Sequence, residues 1–524
     1  MSSPAQPTHS LPADLTNVAD LLRASAHRLR DAVALVEGTG SSRVEITWSQ
    51  LDTDVECAAV SLRNRLGLHP GDRVALTLSN TSAFVIAYFA ILRAGLVAVP
   101  LNTEYPSSEL ARLLGETDAK VVLCEDATVS AAQEAVAETH RAVVDPAGLD
   151  ALIGGGRGAA PLTDVSGAED LAVLLFTSGT SGRPKAVMLS HRALLANLRQ
   201  CLALRPAVMT ADDVVLLVLP LFHIYGLNDG LGMAAATGAR AVLAERFETR
   251  ETLTLIRREG VTSIPGSPPM YAAWAELEQH DGTIRLRDYL GGVRLLVSGA
   301  APLPPALFEH IRRGTGLPIH EGYGLTETSS VVTSTIGSPQ VKPGSVGRPV
   351  PGVDVRLVDV TGAPVTDDAG EIEVRGDNLF SGYWPDGSGG PRPDGWWGTG
   401  DVAYVDDEGD LFLVDRRSEL VLVSGFRVYP REIEEVIAEH PDIAEVAVIA
   451  VPDPQTGEAV KAYVVARAGA VVRPEDVVAH CAGRLARFKR PTVLSVVDQL
   501  PHSATGRVAK GRLREGSLPS EEAP

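Results

Sequence analysis

From residue 20 to about 172 the chain alternates between two textures. Residues 85–92 are apolar on all sides and suit a packed core helix, whereas 73–77, 96–100 and 120–124 are short apolar runs of strand length. Runs at 214–219, 239–244 and 293–297 continue the strand pattern, each bounded by turn residues or a helical stretch. This alternation predicts an α/β layer fold whose sheet extends through most of the first three-quarters of the chain. After Gly344 the strands shorten (353–358, 371–375, 411–415) and stand between Gly, Pro and Asp turns. That texture predicts an antiparallel or barrel-like end to the large domain. A compact α+β pattern follows. Pro430 and Glu432 open a helix with the residue types favoured in a first turn, strands are expected over 443–451 and 460–466, and 473–488 reads as mainly helical. The expected organisation is a large N-terminal domain over 1–417, a hinge near 415–419 and a small C-terminal domain over 418–524, whose tail 516–524 has the composition of a disordered segment.

A chain of 524 residues is longer than one hydrophobic core supports, which agrees with two domains. Its net charge of −19 argues against a nucleic-acid or anionic-membrane partner and favours small molecules or proteins. Cys57, Cys124, Cys201 and Cys481 are too far apart for a Cys-x-x-Cys pair or a recognisable metal cluster, and are expected to be buried reduced thiols. The first fourteen residues lack the basic start and apolar run of a secretory signal, so a cytoplasmic location is expected. The apolar stretch 84–99 is broken by Arg93 and is shorter than the roughly 20 residues of a membrane span.

Chemistry enters after the apolar run 171–176, with Thr177-Ser178-Gly179-Thr180-Ser181-Gly182-Arg183-Pro184-Lys185. Glycines let backbone amides approach an anion, hydroxyls donate to phosphate oxygens and Lys185 adds charge, so the segment suits a phosphate cradle. It does not fit the Walker A register, and taken alone it is equally a flexible connector.

Five further segments stand in order with it: Pro220-Leu221-Phe222-His223-Ile224-Tyr225-Gly226, Ser298-Gly299-Ala300-Ala301-Pro302-Leu303, Glu321-Gly322-Tyr323-Gly324-Leu325-Thr326-Glu327-Thr328, Gly395-Trp396-Trp397-Gly398-Thr399-Gly400-Asp401, and Ser424-Gly425-Phe426-Arg427-Val428-Tyr429-Pro430. With them, the chain from about 21 to 514 resembles the adenylate-forming superfamily of acyl-CoA synthetases, peptide-synthetase adenylation domains and luciferases.

The resemblance implies that a carboxylic acid attacks the α-phosphate of ATP, and that the resulting acyl-adenylate meets coenzyme A. It implies a pyrophosphate-side loop of Thr177, Ser178, Gly179, Thr180, Gly182 and Lys185. Glu327 would be the Mg²⁺ ligand and Thr326 a donor to the α-phosphate. Tyr323 would lie against the adenine beside Gly299, Ala300 and Ala301, with Glu321 and Gly322 adjoining. Asp401 would take the ribose hydroxyls, with Arg416 its companion. His223 would gate an acyl pocket lined by Tyr225, Asn228, Met233, Ser298 and Gly324. Ser424 and Gly425 would admit the pantetheine arm as the small domain rotates about the hinge.

Two positions depart from the family. Ser418 stands in the hinge where Lys or Asp is usual, and Pro501-His502-Ser503-Ala504-Thr505-Gly506-Arg507 carries Arg507 where the family has its catalytic lysine. Arginine keeps the charge but replaces a compact point donor by a planar fork. One reading is impaired adenylation, with the chain specialised for joining CoA to an acyl-AMP supplied by a separate adenylating enzyme. The other is harmless exchange, in a chain where six lysines stand among 47 basic residues. A carrier-protein thiol as acceptor, or a non-catalytic acyl-adenylate-binding protein, are further alternatives. The identity of the acid is not written in these motifs.

Overall fold

The computed structural model describes all residues except 1–10, 13, 164–165, 178–183, 360, 366–368, 417–418, 420, 424–425, 454–455, 483, 503–507 and 515–524, and gives 415–416, 422, 426–427 and 457 as backbone only. The chain forms two compact units, one of residues 1–179, 184–354 and 375–397, the other of 180–183, 355–374 and 398–524.

The first unit holds two sheets. One has the strand order Ala142–Val144, Ala119–Cys124, Arg73–Thr77, Val97–Pro100, Leu171–Thr177, Lys185–Ser190, parallel except for its last member. The other places Val33–Glu37, Arg240–Leu243, Val214–Leu217, Ser263–Gly266, Leu295–Ser298 and Ile319–Leu325 side by side and parallel. Antiparallel Val44–Thr47 flanks one side, and Ser330–Ser334 with Ser345–Pro349 the other. The predicted α/β layering is therefore present, with each expected strand found within two or three residues of its expected bounds. Parallel strands need both faces covered. Helix Ser82–Arg93, buried from Phe84 through Arg93, supplies such cover, and Arg93, its last residue, is buried with its charge paired to Asp52 and Glu56.

The amino ends of three neighbouring parallel strands are tied by one carboxylate. Asp213, just before Val214–Leu217, accepts from Arg294 Nε at 2.7 Å, from Thr262 Oγ1 at 2.7 Å and from the Thr210 amide at 2.8 Å. Arg294 and Thr262 directly precede the next two strands. Burial alone would raise this acid, but the Arg294, Thr262 and Thr210 bonds hold it below its usual 3.8.

In the second unit, Pro364–Val365, Val353–Val358, Gly370–Gly376, Trp397–Val405 and Leu411–Arg416 neighbour one another in that order. A long hairpin, Ile443–Asp453 with Gly457–Ala466, is its other sheet centre. Val448, Val460, Ala462 and Val464 face helices Pro430–Ala438 and Pro474–Ala482, while Ala447, Ile449 and Tyr463 pack on Leu500 and Leu513. The helix expected over 473–488 is shorter: it stops at Ala482, next to Gly483 in the sequence, and a 3₁₀ turn, Arg487–Lys489, takes over. All four cysteines are free and buried. No helix among the described residues is long and apolar enough to cross a membrane.

Asp213→Ala is expected to lower stability by about 3 kcal/mol in urea unfolding, since three donors lose their acceptor. Because the Asp213 pKa is depressed on folding, its contribution is complete above 3.8 and is lost as pH falls below that value.

Candidate active site

Ligands of α/β sheets settle outside the carboxyl ends of parallel strands. His223 follows Val214–Leu217, Gly299 follows Leu295–Ser298, Thr326 follows Ile319–Leu325, and Thr177 ends Leu171–Thr177. The strand Ile319–Leu325 places Glu321 and Tyr323 on its buried face with Ile319. Glu321 Oε2 accepts from the Leu303 amide at 3.2 Å, and so fixes the segment that begins at Gly299 against the face that carries Tyr323. Ala300 in that segment has φ 69°, a conformation a non-glycine residue holds only where its surroundings impose it.

Ile319–Leu325 continues into a 3₁₀ turn, Thr326–Thr328, and returns as antiparallel Ser330–Ser334. The reversal is so tight that a Cβ on Gly324 would lie 1.5 Å from the Ser330 carbonyl oxygen, so only glycine is admitted. Ser329 (φ 56°) and Ser330 (φ 113°) take left-handed backbone, at roughly 1–3 kcal/mol each. A set of bonds offsets that strain. Asn378 Nδ2 donates to the Thr328 carbonyl at 2.9 Å and its carbonyl accepts from Ser329 Oγ at 2.9 Å. Asn228 Nδ2 donates to the Ser329 carbonyl at 3.0 Å, and Ser330 Oγ donates to Asp229.

This turn carries Thr326 and Glu327, both buried. Glu327 Oε1 accepts from Tyr383 Oη at 2.8 Å, and its carbonyl accepts from the Phe380 amide at 2.9 Å. Lys185 Nζ stands 4.9 Å from the centre of the Tyr383 ring. Thr177 and Lys185 are cross-strand partners, so the ends of the predicted phosphate loop are fixed by the hairpin. Residues 381–384 run beside that hairpin, with Ser381 and Trp384 amides donating to the Met188 and Ala186 carbonyls at 2.9 Å each. Tyr383 was not read from the sequence. Its only signal there is an aromatic pair between Gly382 and Pro385.

Of the predicted acyl-pocket residues, Tyr225 and Asn228 sit on an eight-residue π-helix, Tyr225–Gly232, and Met233 opens the helix Met233–Thr237 that continues it, while Ser298 and Gly324 lie on the strands Leu295–Ser298 and Ile319–Leu325. Gly226 is required where that helix starts, because a Cβ there would come within 2.5 Å of the Pro220 carbonyl oxygen. His223 Nδ1 accepts the Tyr225 amide at 3.3 Å, and burial lowers its pKa from 6.5 to about 4, so its ring is neutral at pH 7. The Tyr225 ring packs on Gly299, where a Cβ would stand 3.1 Å from Cε1. Met233 is fully buried. Asn228 serves the fold, its side-chain amide donating to the Leu194 and Ser329 carbonyls. The acid beside it, Asp229, was not anticipated.

In the second unit, Asp401 is buried, its amide donates to Thr399 Oγ1 at 3.1 Å, and Arg416 is its cross-strand partner. Ser178, Gly179, Thr180, Gly182, Ser418, Ser424, Gly425 and Arg507 lie outside the described residues. Among the described residues no group of three or more His, Cys, Asp or Glu is placed to hold a metal. One carboxylate, Glu327, still fits Mg²⁺, which commonly takes one or two protein carboxylates and completes its shell with phosphates and water.

His191, which accepts the Val18 amide at 3.1 Å, is likewise lowered by burial to about 4. Both folded-state values lie below the unfolded 6.5, so the stability these rings contribute is present above pH 6.5 and lost as pH falls toward 4. Replacing both by Gln is expected to flatten that part of a stability–pH curve measured by thermal unfolding.

The AMP-binding enzyme family matches residues 22–384, and the AMP-binding enzyme C-terminal domain matches 432–507. A long-chain-fatty-acid–CoA ligase of Bacillus subtilis is 32% identical over 97% of this chain and 96% of its own length. A 4-coumarate–CoA ligase of Oryza sativa is 32% identical over 93% and 92%. The ATP-bound MatB structure from Rhodopseudomonas palustris superposes with a TM-score of 0.86 at 33% identity, covering 95% of this chain and 99% of that one. The anthranilate CoA ligase AuaEII with anthranoyl-AMP gives 0.82 at 26% identity, covering 99% of both. The extent of these matches, together with the site built at the strand ends, shows that the chain belongs to the AMP-binding enzyme family.

Proposed function

We propose that this protein is an acid–thiol ligase that joins a carboxylic acid to coenzyme A through an acyl-adenylate. The observation that carries the reading is the Tyr383 bridge. One side chain donates to Glu327 and lies beneath Lys185, so residues from two motifs far apart in sequence are coupled where the triphosphate would lie. The naming of relatives as CoA ligases supports the same class of reaction.

In the first step a carboxylate oxygen bonds to the α-phosphorus as the bond to the β-phosphate oxygen breaks, releasing pyrophosphate. Lys185 and the 177–185 loop hold the leaving group, and Thr326 donates to the α-phosphate. Tyr323 and Gly299–Ala301 take the adenine, while Asp401 and Arg416 take the ribose. Glu327 would hold Mg²⁺, which when bound neutralises phosphate charge. In the second step the CoA sulfur, giving up its proton, bonds to the acyl carbon as AMP leaves. Neutral His223 borders the acyl site without adding a charge there. By the family resemblance, Gly425 and Ser424 would admit the thiol, and the hinge near 415–419 would let the small domain turn between the two steps.

Within this reading the first step is slow. Arg507 replaces the compact ammonium that would bridge the carboxylate and the α-phosphate. The nearest lysine in sequence, Lys510, is engaged elsewhere, 2.8 Å from Glu434 and 3.1 Å from Glu419. The chain then acts chiefly on preformed acyl-AMP, made by a partner enzyme.

Acids offered to the purified chain with ATP, Mg²⁺ and CoA are expected to give roughly 100-fold less thioester per unit time than the same acids offered as acyl-AMP. Arg507→Lys should close that gap by raising only the first rate. Equal yields from both forms would show an ordinary two-step ligase. Tyr383→Phe is expected to weaken ATP·Mg²⁺ binding roughly 10-fold by calorimetry while leaving metal-free AMP binding unchanged, because AMP lacks the phosphates that Glu327 and Lys185 would handle.

A further inference from the structure

On the π-helix Tyr225–Gly232 six residues are buried, and the two that are not, Tyr225 and Asp229, are four apart and so share a face. Tyr225 meets Gly299 on that face, which turns it toward the end of strand Leu295–Ser298. Three polar groups border the region. Asp229 holds the Ser330 hydroxyl on one oxygen and has the Cys201 thiol 3.9 Å from the other. Tyr225 Oη and Ser298 Oγ are buried without a hydrogen-bond partner, and Ser298 is only 1% exposed. Desolvation by burial raises the Asp229 carboxyl to about 7, against the lowering effect of the Ser330 and Cys201 contacts.

A pocket meant for a plain hydrocarbon chain would gain nothing from this arrangement, because buried polar atoms without partners cost stability. A ligand that donates a hydrogen bond removes the cost, and a site built that way discriminates strongly against the analogue lacking the donor. We propose that the acyl pocket selects carboxylic acids that carry a hydroxyl or amino group away from the carboxylate, with Asp229 accepting from that group and Tyr225 and Ser298 flanking it. The inference rests on the ligase reading and makes Asp229 its specificity-determining residue. A purely structural Asp229, serving only to hold Ser330, would affect all acids alike.

The test uses matched acids, linear and aromatic, differing only by hydroxyl or amino in place of hydrogen. Each pair competes for CoA, once as free acids with ATP and once as synthetic acyl-AMP. The wild-type chain is expected to favour the donor-bearing member of its best pair by roughly 10- to 100-fold in kcat/KM. Asp229→Leu should bring that ratio to about one. Asp229→Asn, nearly isosteric and still an acceptor, should keep part of the hydroxyl preference and lose the amino preference. No wild-type preference in any pair, or a ratio unchanged in Asp229→Leu, would overturn the proposal. If no acid in either form yields thioester, the ligase reading fails. Binding of paired, non-reacting acyl-sulfamoyl adenosines then still decides the selectivity, with equal affinities overturning it.

Discussion

The candidate site depends on a backbone reversal that is unfavourable on its own. Between Gly324 and Ser330 the chain passes within contact distance of itself and holds two serines in left-handed conformations. Asn228, Asn378, Phe380 and the Thr328 hydroxyl pay for it with hydrogen bonds. Because those residues come from separate parts of the chain, the turn can form only once the first unit has folded around it. Its geometry, and with it the direction of the Glu327 carboxylate, is therefore a product of tertiary structure.

The same bonds explain why the polar residues of the π-helix differ in role. Asn228 is committed to backbone carbonyls and fixes the helix against the turn. Asp229, one residue on, has a carboxylate whose partners are a hydroxyl and a thiol, both weak compensation for a desolvated acid. A π-helix widens the turn enough to place Tyr225 and Asp229 on one face while the rest stays packed.

Much of the fold was legible because its parallel strands are continuous apolar runs, as at 73–77 and 120–124, and because proline and acids mark the start of Pro430–Ala438. The helix expected over 473–488 came out short because a helical period alone did not weigh Gly483. Motif residues such as Tyr323 and Glu327 were named from the resemblance that the order of their segments carries. Tyr383 and Asp229 were not, since neither has a local pattern: Tyr383 matters through Glu327 and Lys185, and Asp229 through Ser330 and Cys201. Contacts between positions more than twenty residues apart leave no trace in periodicity.

The hairpin Ile443–Asp453 with Gly457–Ala466 is packed on both faces by residues of its own unit. Such a part does not borrow its interior from elsewhere. Over evolutionary time it can be retuned by mutation, or exchanged by recombination, without the strand packing around the nucleotide motifs having to be solved again.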